Sequence, residues 1–198
     1  MKEEYQAICR AAMADPAGRG LAGHTRQLPP LEELAQSLAG ARGVMLISGF
    51  PVRTQWGVVG ETDGPSGIAW LAGALTGLGI PVRIYTGQNC LDQIEAARQV
   101  AAPRAELKLL PHRGGEAFAR AQLEEFGPSH LISLERPGRS ADGVCYNSKG
   151  ISIEDLVADA EPLFLEAGRR GVYTIGVGDG GNELGMGGAR SLVEEYVR

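Results

Sequence analysis

The chain has 198 residues, 43% hydrophobic and 22% charged, with a net charge of −5, a length that one domain fills with a sizeable core. The acid excess removes diffuse attraction to nucleic acid or anionic lipid, and no apolar run approaches the ~20 residues that cross a bilayer. Cys9, Cys90 and Cys145 lack metal-type spacing and Met1-Lys2-Glu3-Glu4 is neither a secretory nor an Arg-rich leader, which points to reduced thiols in the cytoplasm.

Tyr5, Ile8, Cys9 and Ala12 recur at helical spacing and predict a helix over 3–13, stopped by Asp15-Pro16 and Gly18. Pro29-Pro30 opens a second helix with Leu31, Leu34, Ala35 and Leu38 on one face. Val44-Met45-Leu46-Ile47 is the continuous apolar run of a strand covered on both sides. A long irregular stretch is expected from Ser48 to Gly67; such connections are usually functional or disordered, and Trp56, Val58 and Val59 argue against disorder. Ile68, Leu71, Ala72, Leu75 and Leu78 trace the next helix, followed by a strand over 81–85.

The alternation continues with a helix near 91–100, a strand near 107–110, a helix near 116–126 and a strand over 130–134. A second long polar connection covers 135–150, and a helix from about 153 to 167 leads to a fifth strand over 172–177. The pattern predicts an α/β fold: a three-layer, mostly parallel, doubly wound sheet of about five strands with right-handed crossovers. We expect one domain over 1–198, with N-terminal helices at 3–40 and the sheet at 43–198.

The fifth strand runs into a stretch, 176–188, in which seven of thirteen residues are Gly. Glycines there let the backbone come close to a bound group. Gly176, Gly178 and Gly181 satisfy G-x-G-x-x-G, but the dinucleotide fingerprint belongs at a first βα unit with an acid ~20 positions on; here the fifth strand precedes it and 17 residues follow Gly181.

Ligands in open α/β sheets bind beyond the carboxyl ends of the strands. The first strand's connection supplies Glu61 and Asp63; the fourth's supplies Glu135, Arg136, Arg139, Asp142, Asn147 and Lys149; the fifth's supplies Asp179, Asn182 and Glu183. His24, His112 and His130 stand in unrelated contexts and form no triad with a Ser or Cys. Such acids suit either paired-carboxylate acid/base work or a hard-metal site.

Three ordered motifs carry a resemblance: Gly60-Glu61-Thr62-Asp63-Gly64-Pro65, then Glu135-Arg136-Pro137-Gly138-Arg139 with Ala141-Asp142-Gly143 and Tyr146-Asn147, then the run from Ile175 to Gly187. Together they resemble the D-glutamate cyclase family, as do Asp15-Pro16, Arg19-Gly20 and Ser48-Gly49-Phe50-Pro51. The resemblance implies conversion of D-glutamate to 5-oxo-D-proline with loss of water, and a family domain that continues past Tyr196-Val197-Arg198.

Closing glutamate on itself needs a base for the ammonium proton, an acid for the departing oxygen and donors for the carboxylates. We expect Glu61, Asp179 and Glu183 to be catalytic, with Asp179 or Glu61 as base and the other protonated by like-charge crowding. Arg136 and Arg139 are expected to grip the substrate carboxylates, and the amides of Gly178, Gly180 and Gly181 to form a nest around the oxyanion. Thr62, Asp63, Asn147 and Asn182 complete the expected substrate contacts. A Mg²⁺ or Mn²⁺ ion would fall to Asp63, Asp142 and Asp179. The partner is a small molecule, with self-association a further option. The other readings are a non-catalytic binder of an amino acid or phosphometabolite, and a subunit completed by a partner segment.

Overall fold

The computed structural model describes residues 2–12, 14 and 31–196. In chain order the elements are α1 (Lys2–Ala12), α2 (Leu31–Ala39), β1 (Val44–Ser48), β2 (Pro51–Thr54), β3 (Gly57–Gly60), α3 (Asp63–Gly77), β4 (Val82–Thr86) and α4 (Leu91–Ala101). There follow β5 (Glu106–Leu109), α5 (Gly115–Phe126), β6 (His130–Leu134), α6 (Glu161–Arg169), β7 (Tyr173–Val177) and α7 (Arg190–Tyr196). Asp15-Pro16, Arg19-Gly20, His24 and Pro29-Pro30 lie outside the described residues.

Because β1 is apolar from Val44 to Ile47, it can be buried on both faces, and it takes the centre of a five-stranded sheet ordered β5-β4-β1-β6-β7. Every pairing in that sheet is parallel, with Ile47 level with Tyr85 on one side and Ser133 on the other. Alternate residues face opposite ways. Val44, Leu46, Val82 and Ile84 pack under Ile68, Ala72 and Leu75 of α3 and Ile94 of α4. Met45, Ile47, Tyr85 and Leu131 pack against Ala119 and Leu123 of α5 and Leu163 and Ala167 of α6. Each such aliphatic side chain contributes roughly 1.5–3 kcal/mol on burial, so the doubly covered central strands anchor everything attached to their ends.

Two expectations need correction. The stretch between Ser48 and Gly67 is not irregular: β2 and β3 form an antiparallel hairpin with Val52 opposite Val59, and α3 begins at Asp63. The helix expected over 153–167 is confined to Glu161–Arg169. Ile153 and Val157 instead join Phe50 and Cys145 in a third apolar cluster, the Glu154 carboxylate accepts the Cys145 N–H, and Pro162 suits only a first helical turn. Tertiary contacts outweigh the helical spacing of those side chains.

Candidate active site

The chain leaves β1 toward the α3 face and leaves β6 toward the α6 face, so the carboxyl ends of these neighbours are where the crossovers part. A crevice forms at such a point. The turn before α3 brings Glu61 and Asp63, the residue after β6 is Glu135, and the loop after β7 brings Asp179 and Glu183; the other four all act electrostatically on Glu135. Carboxylate oxygens of Glu135, Asp179 and Glu183 lie within 4.8 Å of one another. Tight packing holds the segments together. A Cβ on Gly64 would stand 2.7 Å from the Ser48 hydroxyl oxygen and 3.3 Å from the Glu135 Cβ, so α3 reaches the ends of β1 and β6 only with glycine there.

Glu183 is buried at 6% exposure. Its Oε1 accepts the N–H groups of Gly180 at 2.7 Å and Asp179 at 3.2 Å, and its Oε2 accepts that of Gly181 at 2.7 Å. Hydrogen bonds to a charged group are worth about 1.5–3 kcal/mol each, which fixes the loop. A Cβ at Gly178 would fall 2.6 Å from the Glu183 Cδ. The expected nest therefore exists, but it encloses the chain's own carboxylate, which corrects the roles expected for Glu183 and for the amides of Gly180 and Gly181. The same loop leaves Asp179 exposed at the rim.

Glu135, for which the motifs imply no separate role, stands at the centre of this group. It is the one non-glycine among the described residues with positive φ, at 47°, a conformation that costs on the order of 1–3 kcal/mol. Burial pushes its carboxyl up to about 8, helped in turn by Glu183, Asp179, Asp63 and Glu61, so it holds its proton at neutral pH. Ser48, which with Glu135 flanks Gly64, is 0% exposed and its hydroxyl has no hydrogen-bond partner. The available signal was position: an acid directly beyond a buried central strand.

Other expected residues are occupied elsewhere. Arg136 is 1% exposed and donates from Nη1 to the Gly49 carbonyl at 2.9 Å and from Nη2 to the Ala158 carbonyl, tying the exit of β1 to the segment before α6. Burial pulls its pKa down to about 10, which leaves it cationic. Arg139 bonds Glu154 at 2.6 Å and lies 3.5 Å from both Asp159 and Glu161. Neither guanidinium presents a fork to a substrate. Asn147 accepts the N–H groups of Lys149 and Ile151 at 3.0 Å, closing a turn, and the Asn182 amide donates to the Tyr146 carbonyl at 2.8 Å. Thr62 stays at the mouth, an exposed N-cap without a side-chain cap bond, beside Asp63, whose Oδ1 accepts the Gly64 N–H at 2.8 Å.

The ion set expected from Asp63, Asp142 and Asp179 is not assembled. Asp142 sits in an exposed turn, accepting from the Tyr146 hydroxyl at 2.6 Å and the Val144 N–H at 3.0 Å. In the group that does gather, both Glu183 oxygens already accept main-chain N–H groups. Those bonds take up lone pairs that a hard cation would need. Cys90 and Cys145, whose thiols burial pushes up to about 11, are buried and unreactive at neutral pH.

Fold and acid cluster define a doubly wound α/β protein with carboxylates gathered at its switch point. The D-glutamate cyclase-like C-terminal family model matches residues 8–198, and the chain belongs to that family. It is 36% identical over 196 residues to human D-glutamate cyclase, mitochondrial, an alignment covering 93% of this chain and 32% of the relative. The chain thus spans about a third of that relative's length. No helix among the described residues is long and apolar enough to cross a membrane.

Proposed function

We propose that this chain is a hydro-lyase that cyclises D-glutamate to 5-oxo-D-proline with loss of water, acting in a reducing compartment such as the cytoplasm. The observation that carries the reading is the convergence of Glu61, Asp63, Glu135, Asp179 and Glu183 at the switch point. An acid-lined crevice attracts the substrate's ammonium group, which must lose a proton before its nitrogen can attack. Asp179, exposed at the rim, or Glu61 takes that proton. The reaction is intramolecular, so fixing one rotamer supplies much of the rate advantage. The D configuration rests on the name of the relative alone.

The test is to incubate the purified protein with D- and L-glutamate and resolve 5-oxoproline by chiral chromatography. Product from the D isomer is expected, with Asp179→Asn lowering kcat by about 10²–10⁴. Thermal stabilisation by D-glutamate without product would replace catalysis by simple binding.

A further inference from the structure

We propose that Glu135 is the acid of this crevice, the group that delivers a proton to the oxygen that departs as water. The assignment rests on the cyclisation reading above. Three geometric observations carry it. Glu135 stands at the carboxyl end of β6, where it meets the end of β1 and the start of α3, with the Gly64 contact leaving no room for a side chain between them. It is held with φ at 47°, which turns the chain sharply as it leaves the strand. Its carboxyl oxygens come within 4.8 Å of those of Asp179 and Glu183. The charged groups that act on it most strongly are all acids: Glu61 and Asp63 before α3, Asp179 and Glu183 after β7. Arg136, its neighbour in the chain, turns away to the Gly49 and Ala158 carbonyls.

A separate observation points to a missing partner in the same corner. The Ser48 hydroxyl is buried without a hydrogen bond, 2.7 Å from where a Gly64 Cβ would be, and buried hydroxyls almost always have partners. A substrate oxygen entering this corner would accept from it.

The step balances. Asp179 or Glu61 takes one ammonium proton, and Glu135 gives its proton to a γ-carboxylate oxygen. The neutral amine attacks the γ-carbon, forming C–N. A second nitrogen proton passes to the hydroxyl, the C–O bond breaks, and water leaves. The protonated base then returns its proton to Glu135. One hydrogen of the water comes from Glu135 and the other from the nitrogen, and the ammonium proton held by the base restores Glu135.

The test compares wild type, Glu135→Gln and Glu135→Asp on D-glutamate across pH. Wild-type kcat should fall as pH rises through about 8, where Glu135 loses its proton. Glu135→Gln should keep KM within a few-fold while kcat drops about 10²–10⁴-fold. Glu135→Asp, a conservative second variant should the first not fold, should retain activity with its alkaline limb at lower pH. Product from wild type together with an unimpaired Glu135→Gln, or an alkaline limb unmoved in Glu135→Asp, would overturn the assignment while leaving cyclisation standing. Absence of product from wild type would overturn both.

Discussion

Two knots of carboxylates occupy the carboxyl edge of the sheet, and they are built in opposite ways. In the first, Arg139 lies among Glu154, Asp159 and Glu161 and offsets part of their charge, although burial still pushes the Glu161 carboxyl up. Burial is the largest influence on the Glu154 carboxyl and works to raise it, but the hydrogen bonds from Arg139 and the Cys145 N–H and the Arg139 charge together outweigh it, and the net shift is downward. In the second, burial and four neighbouring acids all act on Glu135 in the same upward sense. Acids compensated by an arginine hold loops together, whereas acids crowded against one another at a crevice store a proton. The difference separates a structural cluster from a chemical one.

The largest expected effect would break the comparison from the chemical side. Asp179→Asn should cost about 10²–10⁴ in kcat with the melting temperature unchanged, because Asp179 is exposed; a matching loss of stability would return Asp179 to structure. From the other side, Arg139→Gln should destabilise the fold by about 1–3 kcal/mol in urea titrations, leaving KM for D-glutamate near wild type. Glu183→Gln lies between the two. A single amide oxygen must replace two carboxylate oxygens that take three N–H groups, so hydrogen exchange at Gly180 and Gly181 should accelerate, with a loss of about 1–3 kcal/mol.

Stability against pH sharpens the contrast further. Glu135 binds its proton more tightly folded than unfolded, so its contribution is full below the ordinary glutamate range and is lost as pH rises through about 8. Glu154 has the opposite sign: its contribution is present above the ordinary range and fades as pH falls through its lowered value. In Glu135→Gln the alkaline decline should flatten, as read by thermal melts at a series of pH values. The smallest effect belongs to the exposed Arg53–Asp155 pair at 2.7 Å; Asp155→Asn should change stability by less than about 0.5 kcal/mol.

The parallel sheet was legible because its signals are local and strong. Val44 to Ile47 cannot be exposed on either face, and the helices that cover them show clear apolar stripes. The hairpin at Pro51–Gly60 was harder, since its strands are four residues each and too short for alternation to stand out. The acids from three connections were legible too, because strand ends concentrate chemistry. What could not be read was each side chain's partner. Arg136 and Arg139 carry the right fork for a dicarboxylate, yet one caps main-chain carbonyls and the other joins acids brought in by the segment before α6. Glu183 follows Asp179 by four residues, and only the closed loop shows that it serves the amides of its own turn. Strand order hid Glu135's importance, because the place where crossovers diverge is a property of the assembled sheet.

The most direct measurement is a ¹³C NMR titration of the glutamate side-chain carboxyl carbons, with Glu135 and Glu154 assigned by the Glu135→Gln and Glu154→Gln variants. Glu135 should titrate near 8 and Glu154 below the ordinary glutamate range. A Glu135 resonance that titrates alongside exposed glutamates would show that the acids at the switch point do not crowd one another, and would contradict the account.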